Sequence, residues 1–147
     1  MERLPYIDEH AVATGASRDA VWSALTYVLR DTMTGALWFA RLLDTDPARA
    51  TSTFEGRPGE TLPGFRVVDA EPGHRLTLQG RHRFSRYRLT FFLDEDRLRA
   101  QSHATFPGPH GKLYRAAVIG SGGHRMLTRR MLRQIDKRAR DTDREGS

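Results

Sequence analysis

The chain has 147 residues, a formal net charge of +6 and no cysteine. That length suits one domain, read as residues 1–140 with a polar tail over 141–147, able to bury about two-thirds of its unfolded surface. Lack of cysteine excludes disulfides, a thiol nucleophile and thiolate metal sites, and the absence of a signal-like start or a bilayer-length apolar run predicts a cytoplasmic protein without membrane insertion.

In chain order, weak alternation from His10 to Ala16, with Val12 and Thr14 on one side, predicts a first strand. Ser17 reads as a helix N-cap, with Asp19 placing negative charge at the helix start. Val21, Trp22, Leu25, Val28 and Leu29 then form one apolar helical stripe that ends near Asp31. A shorter helix is predicted from Thr34 to Leu43, carrying Trp38. The period next changes to two, predicting strands over 50–54, 65–71, 75–84, 85–93 and 97–106, separated by Pro–Gly turns and the acidic turn 94–96. On them, Leu76, Leu78, Gly80, His82 and Phe84 share a face, as do Tyr87, Leu89, Phe91 and Leu93, and Leu98, Ala100, Ser102, Ala104 and Phe106; the arginines between them point the other way. After the breaker at 107–111, the spacing of Leu113, Ala117, Gly120, His124, Leu127, Met131 and Ile135 predicts a long helix from Lys112 to Arg138. The sum is an α+β domain in which a terminal helix lies across a curved antiparallel sheet.

A strand, two helices, a run of antiparallel strands and a long terminal helix is the element order of the helix-grip (SRPBCC) superfamily of START-like, birch-pollen-allergen-like and polyketide cyclase-like proteins. The stretch Gly80–Phe91 (GRHRFSRYRLTF), with Phe106–Arg115 (FPGPHGKLYR) and Val118-Ile119-Gly120, resembles a bacterial family of small helix-grip proteins of unknown function over residues 63–132. The resemblance implies a fold and an internal cavity; it implies no catalytic residues.

The glycines around Ser121 have the look of a dinucleotide-binding turn, but Arg125 stands where the third glycine of that motif belongs, and too little chain follows for a parallel βαβ unit. Inside a helix three glycines cost about 3 kcal/mol relative to alanine, which calls for close backbone approach or a kink above a ligand. His82 and His124 are expected to point inward beside Tyr87 and Ser102, within apolar walls formed by Trp38, Phe84 and Phe106 and under Gly120. This pattern suits a small apolar or aromatic ligand, lipid or polyketide-like. The alternative is an aromatase- or cyclase-type enzyme with His82 or His124 as acid–base group and Tyr87 or Ser102 positioning a carbonyl. No inward carboxylate is found to orient either imidazole, since Asp69 and Glu71 fall at a strand end and the other acids in turns. His10, His74, His103 and His110 show no metal-ligand spacing, and no cofactor is expected. Nucleic acid as a partner is argued against because the positive charge is nearly all arginine and is interspersed with Asp and Glu.

Overall fold

A computed structural model of the chain describes residues 3–35, 53–82, 84–117 and 122–146. In chain order the elements are β1 (Tyr6–Ala13), α1 (Arg18–Gly35), β2 (Thr61–Leu62), β3 (Phe65–Glu71), β4 (Arg75–His82), β5 (Ser85–Leu93), β6 (Arg97–Thr105), α2 (Gly108–Arg115) and α3 (Gly123–Glu145). One antiparallel sheet has the order β1-β6-β5-β4-β3-β2, so the first strand pairs with the last. The bounds read for β3 to β6 hold to within two residues at each end, and the alternation holds through β4 to β6. The helix expected over 34–43 lies almost wholly outside the described residues, as do residues 50–52 of the strand expected before it; Thr53 and Phe54 are not in a strand.

The core forms where α1 and α3 pack on each other and on the inner face of the sheet. Val21, Leu25 and Leu29 of α1 meet Leu76, Leu78, Phe91 and Leu98 of the sheet and Leu132 and Ile135 of α3, all nearly inaccessible. Each such side chain contributes about 1.5–3 kcal/mol relative to exposure. Ser17 caps α1 as expected: its Oγ accepts from the Ala20 N–H at 3.3 Å and its carbonyl from the Val21 N–H at 3.0 Å. Asp143 adds a second tie across the molecule, accepting from the Ser17 N–H at 2.6 Å and the Ser17 hydroxyl at 2.7 Å.

Two shifts in register set which side chains point inward. Between Tyr6 and Asp8 the pairing with β6 slips, so Tyr6 lies opposite His103 on the outer face while Asp8 lies opposite Ser102 on the inner one. A bulge reverses the pleat in this way because one extra residue changes the parity of the strand. The first strand therefore begins earlier than His10, and its inner face reads Asp8, His10 and Val12. A similar slip between Val67 and Asp69 keeps Val67 in the core and turns Asp69 outward, where its carboxylate accepts from Arg75 Nε at 2.9 Å.

The long helix expected from Lys112 to Arg138 is two helices. Gly122, at the N-cap of α3, has φ 81°, a left-handed conformation that a right-handed helix cannot propagate through. The break changes the rotational phase, so the single stripe does not continue across it. Met131 and Ile135, beyond the break, are buried, whereas before it Leu113 is 71 % exposed and Ala117 is exposed; Leu127 is 50 % exposed although it shares α3 with Met131, so the stripe also fails at the start of that helix. Tyr114 takes the inward place assigned to Leu113. At the other end α3 runs on to Glu145, through most of the segment expected to fray.

Candidate functional site

The open end of the sheet's inner face is built by the last residues of β4, the first of β5 and the end of β6, with α2 folded over them. Gly111 fixes α2 there: a Cβ on it would lie 2.7 Å from the Phe106 carbonyl carbon and 3.1 Å from the Phe84 oxygen, so only glycine lets the helix sit this close. That contact delivers Tyr114 onto the sheet. Its ring stacks on Phe84 at 5.5 Å, meets His82 edge-on at 4.7 Å and approaches Phe106 at 6.2 Å. Tyr87 continues the cluster, 5.5 Å from His82 and edge-on to Phe65 at 5.1 Å. Such offset and edge-to-face pairs suit the ring quadrupoles. An open depression of about 440 Å³ lies alongside, bounded by Phe84 and residues 107–111.

His82 has both ring nitrogens engaged. The Phe84 N–H donates to Nδ1 at 3.0 Å, which makes Nδ1 an acceptor and puts the proton of the neutral ring on Nε2, 3.2 Å from Ser85 Oγ. Burial holds this imidazole below its ordinary pKa. Burial also raises the Tyr114 phenol. The Tyr87 hydroxyl donates to the Gly64 carbonyl at 2.6 Å, and that same carbonyl fills the place above Gly80, where a Cβ would lie 1.9 Å from it. Gly80 is thus a seat for backbone and opens no space for a ligand.

A second polar group lies across the same inner face, where α3 passes over β1 and β6. His124 Nε2 is 3.3 Å from Asp8 Oδ1 and 3.1 Å from Ser102 Oγ, and His10 Nε2 is 3.1 Å from Asp8 Oδ2. One carboxylate is shared by two imidazoles. This corrects the expectation that no inward carboxylate orients a histidine. Asp8 lies in phase with His10 and Val12, but the strand expected from His10 starts two residues too late to include it. Both Asp8 and Ser102 face one nitrogen of His124, so the group is not a nucleophilic relay, in which serine and carboxylate occupy opposite nitrogens. A shallow depression of about 340 Å³ opens beside it, lined by Ile7, Asp8, His10, His124, Arg125 and Arg129. No cluster with metal-ligand geometry occurs among the described residues.

Of the residues singled out in the sequence, the structure brings His82, Phe84, Tyr87 and Phe106 into the aromatic group, and Ser102 and His124 into the polar one. Trp38 and Gly120 lie outside the described residues. Tyr114, Asp8 and His10 are site residues the sequence reading misses: a one-residue phase error hides the first, and the strand start placed at His10 leaves out Asp8 and with it the partner of His10.

No known family profile matches the chain, and no curated protein sequence matches it. Solved structures do. The crystal structure of protein MLL2253 from Mesorhizobium loti superposes with a TM-score of 0.53 at 16 % identity, covering 92 % of this chain and 98 % of that one. Truncated norcoclaurine synthase from Thalictrum flavum gives a TM-score of 0.50 at 14 % identity, covering 93 % and 96 %. The chain has the helix-grip fold.

Proposed function

We propose that the protein binds a small apolar or aromatic molecule at the open end of the sheet, beneath the junction of α2 and α3. The observation that carries this reading is the Tyr114 cluster: His82, Phe84 and Phe106 present ring faces and edges around one phenol that is tied to the sheet through a short, glycine-seated helix. Apolar walls with a few oriented polar tips are what such a ligand requires, and Ser85, Ser102 and His124 supply the tips on the same face. The norcoclaurine synthase likeness agrees with a helix-grip framework around a small molecule.

A neutral fluorescent aromatic probe, N-phenyl-1-naphthylamine, tests the reading. Its emission is expected to rise on binding; Tyr114→Phe keeps the response and Tyr114→Ala weakens it by about tenfold or more, as loss of a large buried ring predicts. No response in the unaltered protein, or an unchanged one in Tyr114→Ala, overturns it.

A second reading, acid–base chemistry of the cyclase type, is favoured by the carboxylate shared between His10 and His124. His124 is the base it selects, because His82 has both nitrogens committed. The imidazole would take the α-proton of a bound aromatic ketone as the carbon–hydrogen pair becomes the enolate C=C bond and the carbonyl π pair moves to the oxygen, which accepts a hydrogen bond from the Ser102 hydroxyl. Deuterium incorporation into acetophenone in D2O measures this step. Exchange above buffer that disappears in His124→Gln and persists in His82→Gln supports it; exchange at the buffer rate removes it.

A further inference from the structure

Charge is not evenly interspersed along this chain. Between Asp96 and Asp136 no acidic residue occurs, while Lys112, Arg115, Arg125, Arg129, Arg130 and Arg133 do. The structure turns this into a division within one helix. From Gly123 to Ile135, α3 carries four arginines and no acid; from Asp136 to Glu145 it carries Lys137, Arg138, Arg140 and Arg144 against Asp136, Asp141, Asp143 and Glu145. In the distal half the charges pair, Arg140 with Asp136 and both Lys137 and Arg144 with Asp141. In the proximal half none of the four arginines has an acidic partner among the described residues.

The proximal half is also where apolar side chains point outward. Met126 is 70 % exposed, and its neighbours at helical steps of three, four and seven are Arg129, Arg130 and Arg133, so one apolar side chain stands inside an arc of guanidinium groups. Leu127 follows at 50 % exposed, beside Arg130. On the other arm of the break, α2 repeats the composition with Leu113 71 % exposed between Lys112 and Arg115. A helix evolved only to be wetted on its outer face has no use for a methionine there, and its arginines would be matched by acids, as they are ten residues further on.

Unmatched cations surrounding exposed apolar side chains form the surface complementary to an anionic lipid interface. Guanidinium groups meet headgroup phosphates while apolar tips enter the acyl boundary, and neither signal suffices alone. We infer that the proximal half of α3 docks onto anionic membrane surfaces, with Met126 and Leu127 entering the interface and Arg125, Arg129, Arg130 and Arg133 on the headgroups. The docking is peripheral; no helix among the described residues is long and apolar enough to cross a membrane. It would bring the mouth of the proposed binding end against the lipid, but it does not depend on that reading.

Flotation of the full chain with phosphatidylcholine vesicles, with and without phosphatidylglycerol, tests the inference. Binding is expected only to the anionic vesicles, falling about tenfold or more in Arg129→Gln/Arg130→Gln and clearly in Met126→Ser/Leu127→Ser, with both variants keeping their melting transition. Equal capture by neutral vesicles, capture by neither, or full anionic binding in Met126→Ser/Leu127→Ser overturns it. So does tighter binding to duplex DNA than to anionic vesicles, which would assign the cations to nucleic acid. Tyr114→Ala separates the two proposals: it is expected to lose the naphthylamine response and keep vesicle binding.

Discussion

His82 and His124 both carry an imidazole to the inner face of the sheet, where His124 meets a carboxylate and a hydroxyl and His82 a backbone N–H and a hydroxyl. His82 accepts from a backbone N–H, and a proton on Nδ1 would have to face that donor, so its neutral form is the one the fold stabilises. His103 is also held below its ordinary pKa, by burial and then by Arg88. For both, the unfolded chain takes up its proton at about pH 6.5 while the folded chain resists. Stability is therefore full above that pH and falls as pH drops through it. Melting temperature is expected to decline below about pH 6.5 and to decline less in His82→Asn. Carboxylates enter only further down: Asp94, held low by Arg99 and Arg97, and Asp143, held low by Ser17, stabilise above the ordinary carboxyl range and cease to as pH falls through it. Gly80 offers a different residue-scale test. Gly80→Ala drives a Cβ into the Gly64 carbonyl, for an expected loss of about 1–3 kcal/mol, read as a lower urea midpoint with an unchanged slope.

At the scale of elements, the strands were legible and the helix break was not. Alternation in β4, β5 and β6 survives because each has one face on the core, and Leu76, Leu78, Phe91 and Leu98 all fall where the pleat puts them. The start of β1 leaves no such trace: Asp8 and His10 lie in phase with Val12, but neither is apolar, so the hydrophobic alternation does not carry the strand back to the inward carboxylate. The glycines at 120–123 did announce a helical defect, but propensity alone does not distinguish a kink from a full stop, and that choice decided whether Leu113 or Tyr114 faced inward. Gly122→Ala isolates the stop. No atom crowds the added Cβ, so any effect is conformational, and a loss of about 1–2 kcal/mol is expected from the left-handed backbone. A calorimetric melt unchanged by the substitution would mean that the segment re-forms as helix.

Across the whole molecule, position says more about the charges than composition does. An excess of arginine summed over the chain resembles a solvated basic surface; the same arginines, sorted by where acids are missing, mark one end. The fold was legible because element order and strand phase are global constraints that tolerate local errors. The candidate site was legible in part: His82, Phe84, Tyr87 and Phe106 lie on neighbouring strands whose alternation is readable, whereas the Asp8–His124 contact joins residues 116 apart and starts from a polar strand end that alternation does not mark.

The tie between Ser17 and Asp143 spans 126 residues. Ser17 caps α1 locally, but the second tie that holds Ser17 in place forms only once Asp143 has been made and α3 has docked. Long-range closure of this kind slows folding. In the full chain Asp143→Asn should therefore speed protease cleavage within α1. The same tie makes the end of the chain a stability determinant of its beginning: Ser17→Ala, an expected loss of about 1 kcal/mol, should cost less in an Asp143→Asn background than alone.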